Sequence, residues 1–271
     1  VLSRRPDAAV VVKTSAPRRL FERTLEGRIE LVELACDAGM IQIDSLTVDT
    51  AESVRQARAF QERLPQMAAA EALSLRERGA QVVVGDIPPL AFAAAAAAGV
   101  PSMAIGNFTW DWIYEGYAEE SPYRLVEDIR DAYRKATKVL RLPMAGGFAG
   151  LEAITSDIPF VARRSRQDPD DVRRAIGLGS RRSDKPLVLM SFGGYGVGRL
   201  DVAALGALTE YRIATTDLPT RTYSIEPTPG LLHISEQQLH ARGLKYEDLV
   251  RAADIVVTKP GYGIISEAIA N

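Results

Sequence analysis

Apolar positions along the chain fall into short β-branched runs that alternate with longer stretches of helical spacing. Val10, Val11 and Val12 lie in a run over 8–14 that reads as a buried strand, and 29–34, 81–85 and 102–105 read the same way. Between them, Val54, Ala57, Phe60, Leu64, Met67, Ala70 and Leu73 mark one face of a helix over 50–78, with Pro65 as an expected kink. Pro17 opens a helix to residue 25, because proline suits the first helical turn. Asp86, Pro88 and Pro89 start an alanine-rich helix that Gly99 and Pro101 end, and a further helix is expected over 123–140.

Composition shifts to Pro, Gly and Ala over 143–150, and a charged stretch over 163–184 holds one short helix, 170–176. A second series follows: strand 186–190, a glycine-rich turn, helix 201–211, strand 212–216, helix 247–252, strand 254–258, a second glycine turn, and a helix from 264. Strands alternating with helices imply βαβ units and parallel sheets. Right-handed crossovers then put the C-terminal strand ends on one side, where ligands bind. The expected organisation is one α/β domain over 1–165, a linker over 166–184 and a second α/β domain over 185–271.

At 271 residues, with 46% hydrophobic and 25% charged residues, the chain has the composition of a globular protein. A net charge of −2 offers no electrostatic reason to expect nucleic acid as a partner. Cys36 is the single cysteine, which excludes an internal disulfide and fits a cytoplasmic setting. The longest apolar run, 90–100, is far shorter than the roughly 20 residues of a membrane-spanning helix, so no integral membrane segment is expected. Both ends read as cut: 1–6 resembles a helix end entering a loop, and 266–271 stops inside a helix.

The sharpest local pattern is the strand–turn–helix over 253–267, with Lys259, Pro260, Gly261, Tyr262 and Gly263 in the turn and Glu267 one helical turn later. The first amides of a helix have no intrahelical acceptors and sit at the positive end of its dipole, so such a corner suits a diphosphate. Gly261 and Gly263 would let a ligand approach the backbone, and Glu267 could accept two hydroxyls of a ribose. The plainer reading is an ordinary corner with an acid near a helix start. Ser191, Gly193, Gly194 and Gly196 form a comparable turn after the first strand of the second series.

The segment 258–267 resembles the donor-site motif of glycosyltransferases with two Rossmann-like domains, the GT-B architecture. It is similar to the bacterial group that includes the peptidoglycan N-acetylglucosaminyltransferase, and to glycosyltransferase-like domains fused to sugar kinases. The resemblance implies two Rossmann-like domains with a cleft between them, a nucleotide-sugar (UDP-sugar) substrate, an acceptor, and no cofactor or metal. It assigns the ribose hydroxyls to Glu267, the diphosphate to Gly261, Tyr262 and Gly263, and donor contacts to Lys259, Ser191, Gly193 and Gly194. It also implies that an opening strand with a Gly/His-rich loop, and the last elements of the donor domain, are missing, so that the chain as it stands is poorly active.

Within the chain, Asp86 and Asp111 are the candidate catalytic acids, and Trp110 and Trp112 are candidates for the acceptor side, because aromatic faces stack on sugars. Their plainer roles are a helix N-cap for Asp86 and a packed anchor for the 110–112 group. His233 and His240 read as surface or structural residues, and Arg163, Arg164 and Arg166 as a solvated linker face. Other readings are a nucleotide-sugar epimerase, a non-catalytic sugar-nucleotide-binding regulatory domain, or an NAD-dependent enzyme. The last would use Gly194, Gly196 and Gly198 with Asp217, which imitate a dinucleotide fingerprint at altered spacing.

Overall fold

The computed structural model describes residues 5, 7–22, 29–117, 123–193, 202–216 and 231–271. The chain divides into two compact units, Val1–Met40 with Thr50–Ile158, and Ile41–Asp49 with Pro159–Asn271. The change of unit at 158/159 precedes the charged 166–184 stretch that sequence reads as a linker. That stretch carries Val172 and Ile176, which are buried in the core of the second unit.

In the first unit, β1 (Val10–Thr14) is followed by the short helix α1 (Arg19–Glu22) and β2 (Ile29–Glu33), and the two strands pair in parallel. The expected helix to residue 25 runs into positions outside the described residues. Cys36, just beyond β2, has its thiol pushed up to about 11 by burial, so it stays protonated at neutral pH. A two-residue pair, β3 (Ile41–Gln42) with antiparallel β4 (Val48–Asp49), precedes α2 (Thr50–Glu77).

Helix α2 runs unbroken through Pro65, burying Val54, Ala57, Phe60, Leu64 and Ala68. It packs along α3 (Pro89–Ala98), which follows β5 (Val83–Gly85). Leu90 and Phe92 of α3 are buried together with Ala93, Ala94 and Ala95, so the helix meets its neighbours through two large side chains and a row of methyl groups. Gly99 closes α3 with φ +74, and its amide reaches back to the carbonyls of the last turn.

β6 (Ser102–Phe108) leads into α4 (Trp110–Glu115), then α5 (Tyr123–Tyr133), β7 (Lys138–Gly146) and β8 (Thr155–Asp157). Strands β5 to β8 form one parallel sheet in sequence order. The helix expected over 123–140 therefore ends at Tyr133. Its helical stripe of Leu125, Val126, Ile129 and Tyr133 stops there, and Val139 and Leu142 are buried from a strand instead. The shift to Pro, Gly and Ala near 143 marks the end of β7, not a domain edge.

The second unit holds α6 (Pro169–Ala175), β9 (Leu187–Met190), α7 (Val202–Gly206), β10 (Arg212–Thr215), β11 (Leu231–His233), α8 (Glu236–Ala241), α9 (Tyr246–Ala252), β12 (Ile255–Val257) and α10 (Tyr262–Ala270). Its sheet is parallel with order β11-β10-β9-β12. The central strand β9 is buried at every position, and Leu187, Leu189, Ala214, Leu249 and Ala252 are fully enclosed. Helices α8 and α9 fill the core with Leu239, Leu249 and Val250, and Ser235 caps α8 through a reciprocal bond pair with Gln238.

Among the described residues, no helix is long and apolar enough to cross a membrane.

Candidate functional site

In the second unit the chain runs from β9 to β10 and β11 on one side, then returns to place β12 on the other side of β9. The strand order therefore reverses between β9 and β12. In α/β sheets such a point of reversal, at the C-terminal strand ends, is where ligands bind. The 259–263 turn singled out in the sequence lies at that point, together with Ser191 and Gly193 of the other. The amide of Ser191 donates to the Val257 carbonyl at 3.1 Å, tying the two loops together where the strands end. A Cβ added at Gly193 would sit 3.9 Å from Lys259 Cε, so those two candidates are also neighbours. Gly194, Gly196, Gly198 and Asp217 lie outside the described residues.

Helix α10 begins at this edge without a capping side chain: Gly261 is its N-cap. The first helical bond is from the amide of Ile265 to the Gly261 carbonyl at 3.2 Å. The amides of Tyr262, Gly263 and Ile264 thus precede the intrahelical ladder, as a helix start dictates. A Cβ placed on Gly263 meets nothing within 4 Å, and one on Gly261 meets only Ile264 Cγ2 at 3.9 Å.

The side chains predicted to face the ligand are engaged within the unit. Ser191 is 6% exposed; it receives a bond from the Tyr246 hydroxyl at 2.8 Å and shares one with Thr216 at 2.9 Å. The Tyr262 ring packs on Phe160 with centroids 5.7 Å apart, and its hydroxyl oxygen accepts from the Val161 amide at 3.3 Å. Glu267 is 5% exposed, and Arg163 Nε donates to its Oε1 at 2.5 Å. Arg163 also stands 3.8 Å from Glu247 Oε2 and over the Tyr246 ring at 5.7 Å. Burial works most strongly, to lower the Arg163 pKa, but its bond to Glu267 together with the charges of Glu267 and Glu247 leaves it raised.

Arg163 is thus half-exposed, as a solvated linker residue would be, but its guanidinium is committed to Glu267. Nothing in a run of three nearby arginines distinguishes the one that folds back onto the last helix. His233, the last residue of β11, has its Nδ1 3.4 Å from Thr215 Oγ1 of β10, and His240 lies in the last turn of α8.

In the first unit the aromatic group proves to be the start of helix α4. Asp111 is 3% exposed and pairs with Arg130 at 2.9 Å, while the same guanidinium binds Glu115 and Glu127. That role anchors α4 to α5. The ring of Trp112 lies over Gly146, where a Cβ would come within 2.5 Å of it, and Trp112 remains 48% exposed. Trp110 donates through its indole Nε1 to Asp37 at 3.2 Å, and its amide donates to the buried Tyr133 hydroxyl at 3.2 Å.

Asp86 does not cap α3 as expected. The N-cap is Pro88, no side chain caps the helix, and Pro89, which lacks an N–H, occupies its first position. Asp86 is exposed as a residue, yet its carboxyl is raised by desolvation and then by the Asp37 charge. Asp37 is itself raised by burial, against the lowering effect of its bond from Trp110. Sequence reading missed Asp37, although its place just after β2 could have drawn attention to it.

A carboxyl raised on folding stabilises the protein below its unfolded pKa, and the benefit is lost as pH rises through the folded value. Asp86→Asn is therefore expected to raise the unfolding temperature at pH 7 and leave it unchanged at pH 3.5. A thermal scan at the two pH values checks this; equal shifts at both would show that the Asp86 charge is not the cause.

The chain has the α/β fold of GT-B glycosyltransferases. It matches the glycotransferase of kitacinnamycin with TM-score 0.58 and 16% identity, covering 97% of this chain and 71% of that one. It matches Arabidopsis thaliana UGT89C1 complexed with UDP-L-rhamnose with TM-score 0.53 and 14% identity, covering 97% and 70%. A third match, with TM-score 0.50 and 13% identity, is the Streptomyces sp. SF2575 glycosyltransferase SsfS6 complexed with thymidine diphosphate, covering 97% and 72%. By sequence the chain is similar to L-arabinokinase of Arabidopsis thaliana, 28% identical over 277 residues. The match takes in 96% of this chain but spans only 24% of that relative's length. No family model matches the sequence.

Proposed function

We propose that the second unit binds a nucleoside diphosphate sugar, UDP-linked, at the β9/β12 edge, and that the protein serves glycosyl transfer to an acceptor. The observation that carries this reading is the uncapped start of α10 beside Ser191 and Gly193 at the point where strand order reverses. In this reading the amides of Tyr262, Gly263 and Ile264 take the diphosphate and stabilise the charge that grows on it as the sugar leaves. Lys259 adds a cation beside Gly193, and Glu267 accepts the ribose hydroxyls. The named complexes of UGT89C1 with UDP-L-rhamnose and of SsfS6 with thymidine diphosphate support the ligand class. The reading assigns no cofactor and a cytoplasmic setting, in keeping with the lone Cys36.

A second reading has one specific support. The relative named L-arabinokinase suggests that the chain corresponds to a glycosyltransferase-like segment joined to a sugar kinase, and less to the peptidoglycan N-acetylglucosaminyltransferase group. In that case the nucleotide sugar binds and no transfer follows.

Titration calorimetry with UDP, TDP, UMP and NAD tests the site. UDP is expected to bind more tightly than UMP or NAD, and Glu267→Ala to weaken UDP by about tenfold or more, the loss of a hydrogen bond to a charged group. Unchanged UDP affinity in that variant would remove Glu267 from the ribose. A release of UDP from UDP-sugar that depends on an added acceptor separates transfer from mere binding.

A further inference from the structure

Segment 160–165 runs along α10 in the second unit. Phe160 meets Tyr262, the Ser165 amide donates to Asn271 Oδ1 at 2.7 Å, and Asn271 Nδ2 donates back to the Arg163 carbonyl at 3.0 Å. These contacts fix the backbone on both sides of Arg163. Its side chain then spans two carboxylates that are themselves almost covered: Glu267, with 7% of its side chain exposed, and Glu247, with 9%. The guanidinium hydrogen-bonds Glu267 but stops 3.8 Å from Glu247 Oε2, and that oxygen is buried with no hydrogen-bond donor among the described residues.

One positive charge is thus shared by two negative ones, and one carboxylate oxygen lacks the donor that a buried polar atom requires. The guanidinium has five N–H donors in a fixed plane, which sets the direction of whatever it holds. Arg163 also rests on Tyr246, whose hydroxyl donates to Ser191 at the end of β9. The same side chain therefore links α10, α9 and, through Tyr246, the loop after β9.

We infer that Arg163 is the positioning residue of the pentose site and that Glu247 is a second hydroxyl acceptor in it, the ligand being the cis-diol of a ribonucleotide. This rests on the nucleotide-sugar reading given above. Arg163 occupies part of the Glu267 carboxylate and holds it in one orientation. A carboxylate has about four acceptor positions, so it can keep that partner and still take hydroxyl hydrogens. A ribose hydroxyl at Glu247 Oε2 would supply its missing donor. The arrangement selects a ribose over a 2′-deoxyribose, because the deoxy sugar leaves one buried acceptor unsatisfied.

The test compares UDP with 2′-deoxy-UDP by calorimetry on the wild-type chain and on Arg163→Gln, Arg163→Lys and Glu247→Gln. The wild type is expected to prefer UDP by about tenfold or more. Arg163→Gln should bring the ratio toward one mainly by weakening UDP, Arg163→Lys should restore part of the preference, and Glu247→Gln should weaken UDP several-fold more than the deoxy compound. A thermal melt establishes that each variant is folded, and Arg163→Lys carries the comparison if the glutamine variant is not.

An unchanged ratio in the folded Arg163 and Glu247 variants overturns the inference and leaves the nucleotide reading standing. So does an equal fall for both ligands, which marks a merely structural role, or tighter UDP binding without Arg163, which marks a competitor for Glu267. Failure of the wild type to bind UDP at all overturns the nucleotide reading, and this inference with it.

Discussion

Arg173→Met is expected to destabilise the second unit by about 2–5 kcal/mol, at about 1–3 kcal/mol for each acceptor left without its donor. Arg173 has no exposed surface, and its guanidinium satisfies three separate parts of the chain. Nε donates to the Gly179 carbonyl at 2.9 Å, one terminal nitrogen to the Lys185 carbonyl at 2.8 Å, and the other to Asp254 Oδ2 at 3.0 Å. Asp254 Oδ2 in turn accepts from the amide of Leu187, the first residue of β9, at 2.8 Å. Methionine fills much of the volume but leaves two carbonyls and a carboxylate oxygen without this donor. Urea denaturation followed by far-ultraviolet circular dichroism measures the effect. A change below about 1 kcal/mol would mean that water takes over these bonds at little cost.

The same network explains what the sequence could and could not reveal. Strands such as β1, β9 and β12 were legible because β-branched runs have no other stable home in an α/β domain. Helix α2 was legible across Pro65 because apolar spacing persisted on both sides of it. In residues 166–184 charge density points to solvent, whereas Arg173 is charged and buried with its partners supplied from residues 179, 185 and 254. Short elements such as β8, β11 and α8 carry too few residues to show a period.

At the candidate site, the glycine turns and the start of α10 could be read directly, since local backbone requirements write themselves into local sequence. The partners of Glu267 could not. Arg163 lies 104 residues away along the chain, and such a meeting is decided by the fold as a whole.

Gly147→Ala is the second large effect expected. The residue has φ +89, and a Cβ there would lie 2.1 Å from Thr109 Oγ1 and 2.8 Å from Trp112 Cβ. Thr109 is 1% exposed and its hydroxyl oxygen accepts from the Phe148 amide at 3.3 Å, so it has little room to yield. Left-handed strain of about 1–2 kcal/mol adds to about 1–3 kcal/mol for overpacking, giving a loss of about 2–5 kcal/mol in the first unit. Gly99→Ala is the control. It has φ +74 with nothing within 4 Å of the added carbon, so only the conformational part should appear. Chemical denaturation of both variants separates the two contributions; equal losses would show that the contact with Thr109 relaxes freely.

The methyl-lined contact of α3 restricts how this protein can diverge. Where the contact is a Cβ atom alone, as at Ala93, Ala94 and Ala95 beside the buried Leu90 and Phe92, a larger residue has little room to enter and a smaller one surrenders that contact. Positions 93–95 should therefore stay alanine or nearly so through long evolutionary drift, while the exposed Ala96 and Ala97 on the same helix are free to vary. A stretch that looks like compositional monotony would then separate, among descendants, into a fixed face and a changeable one.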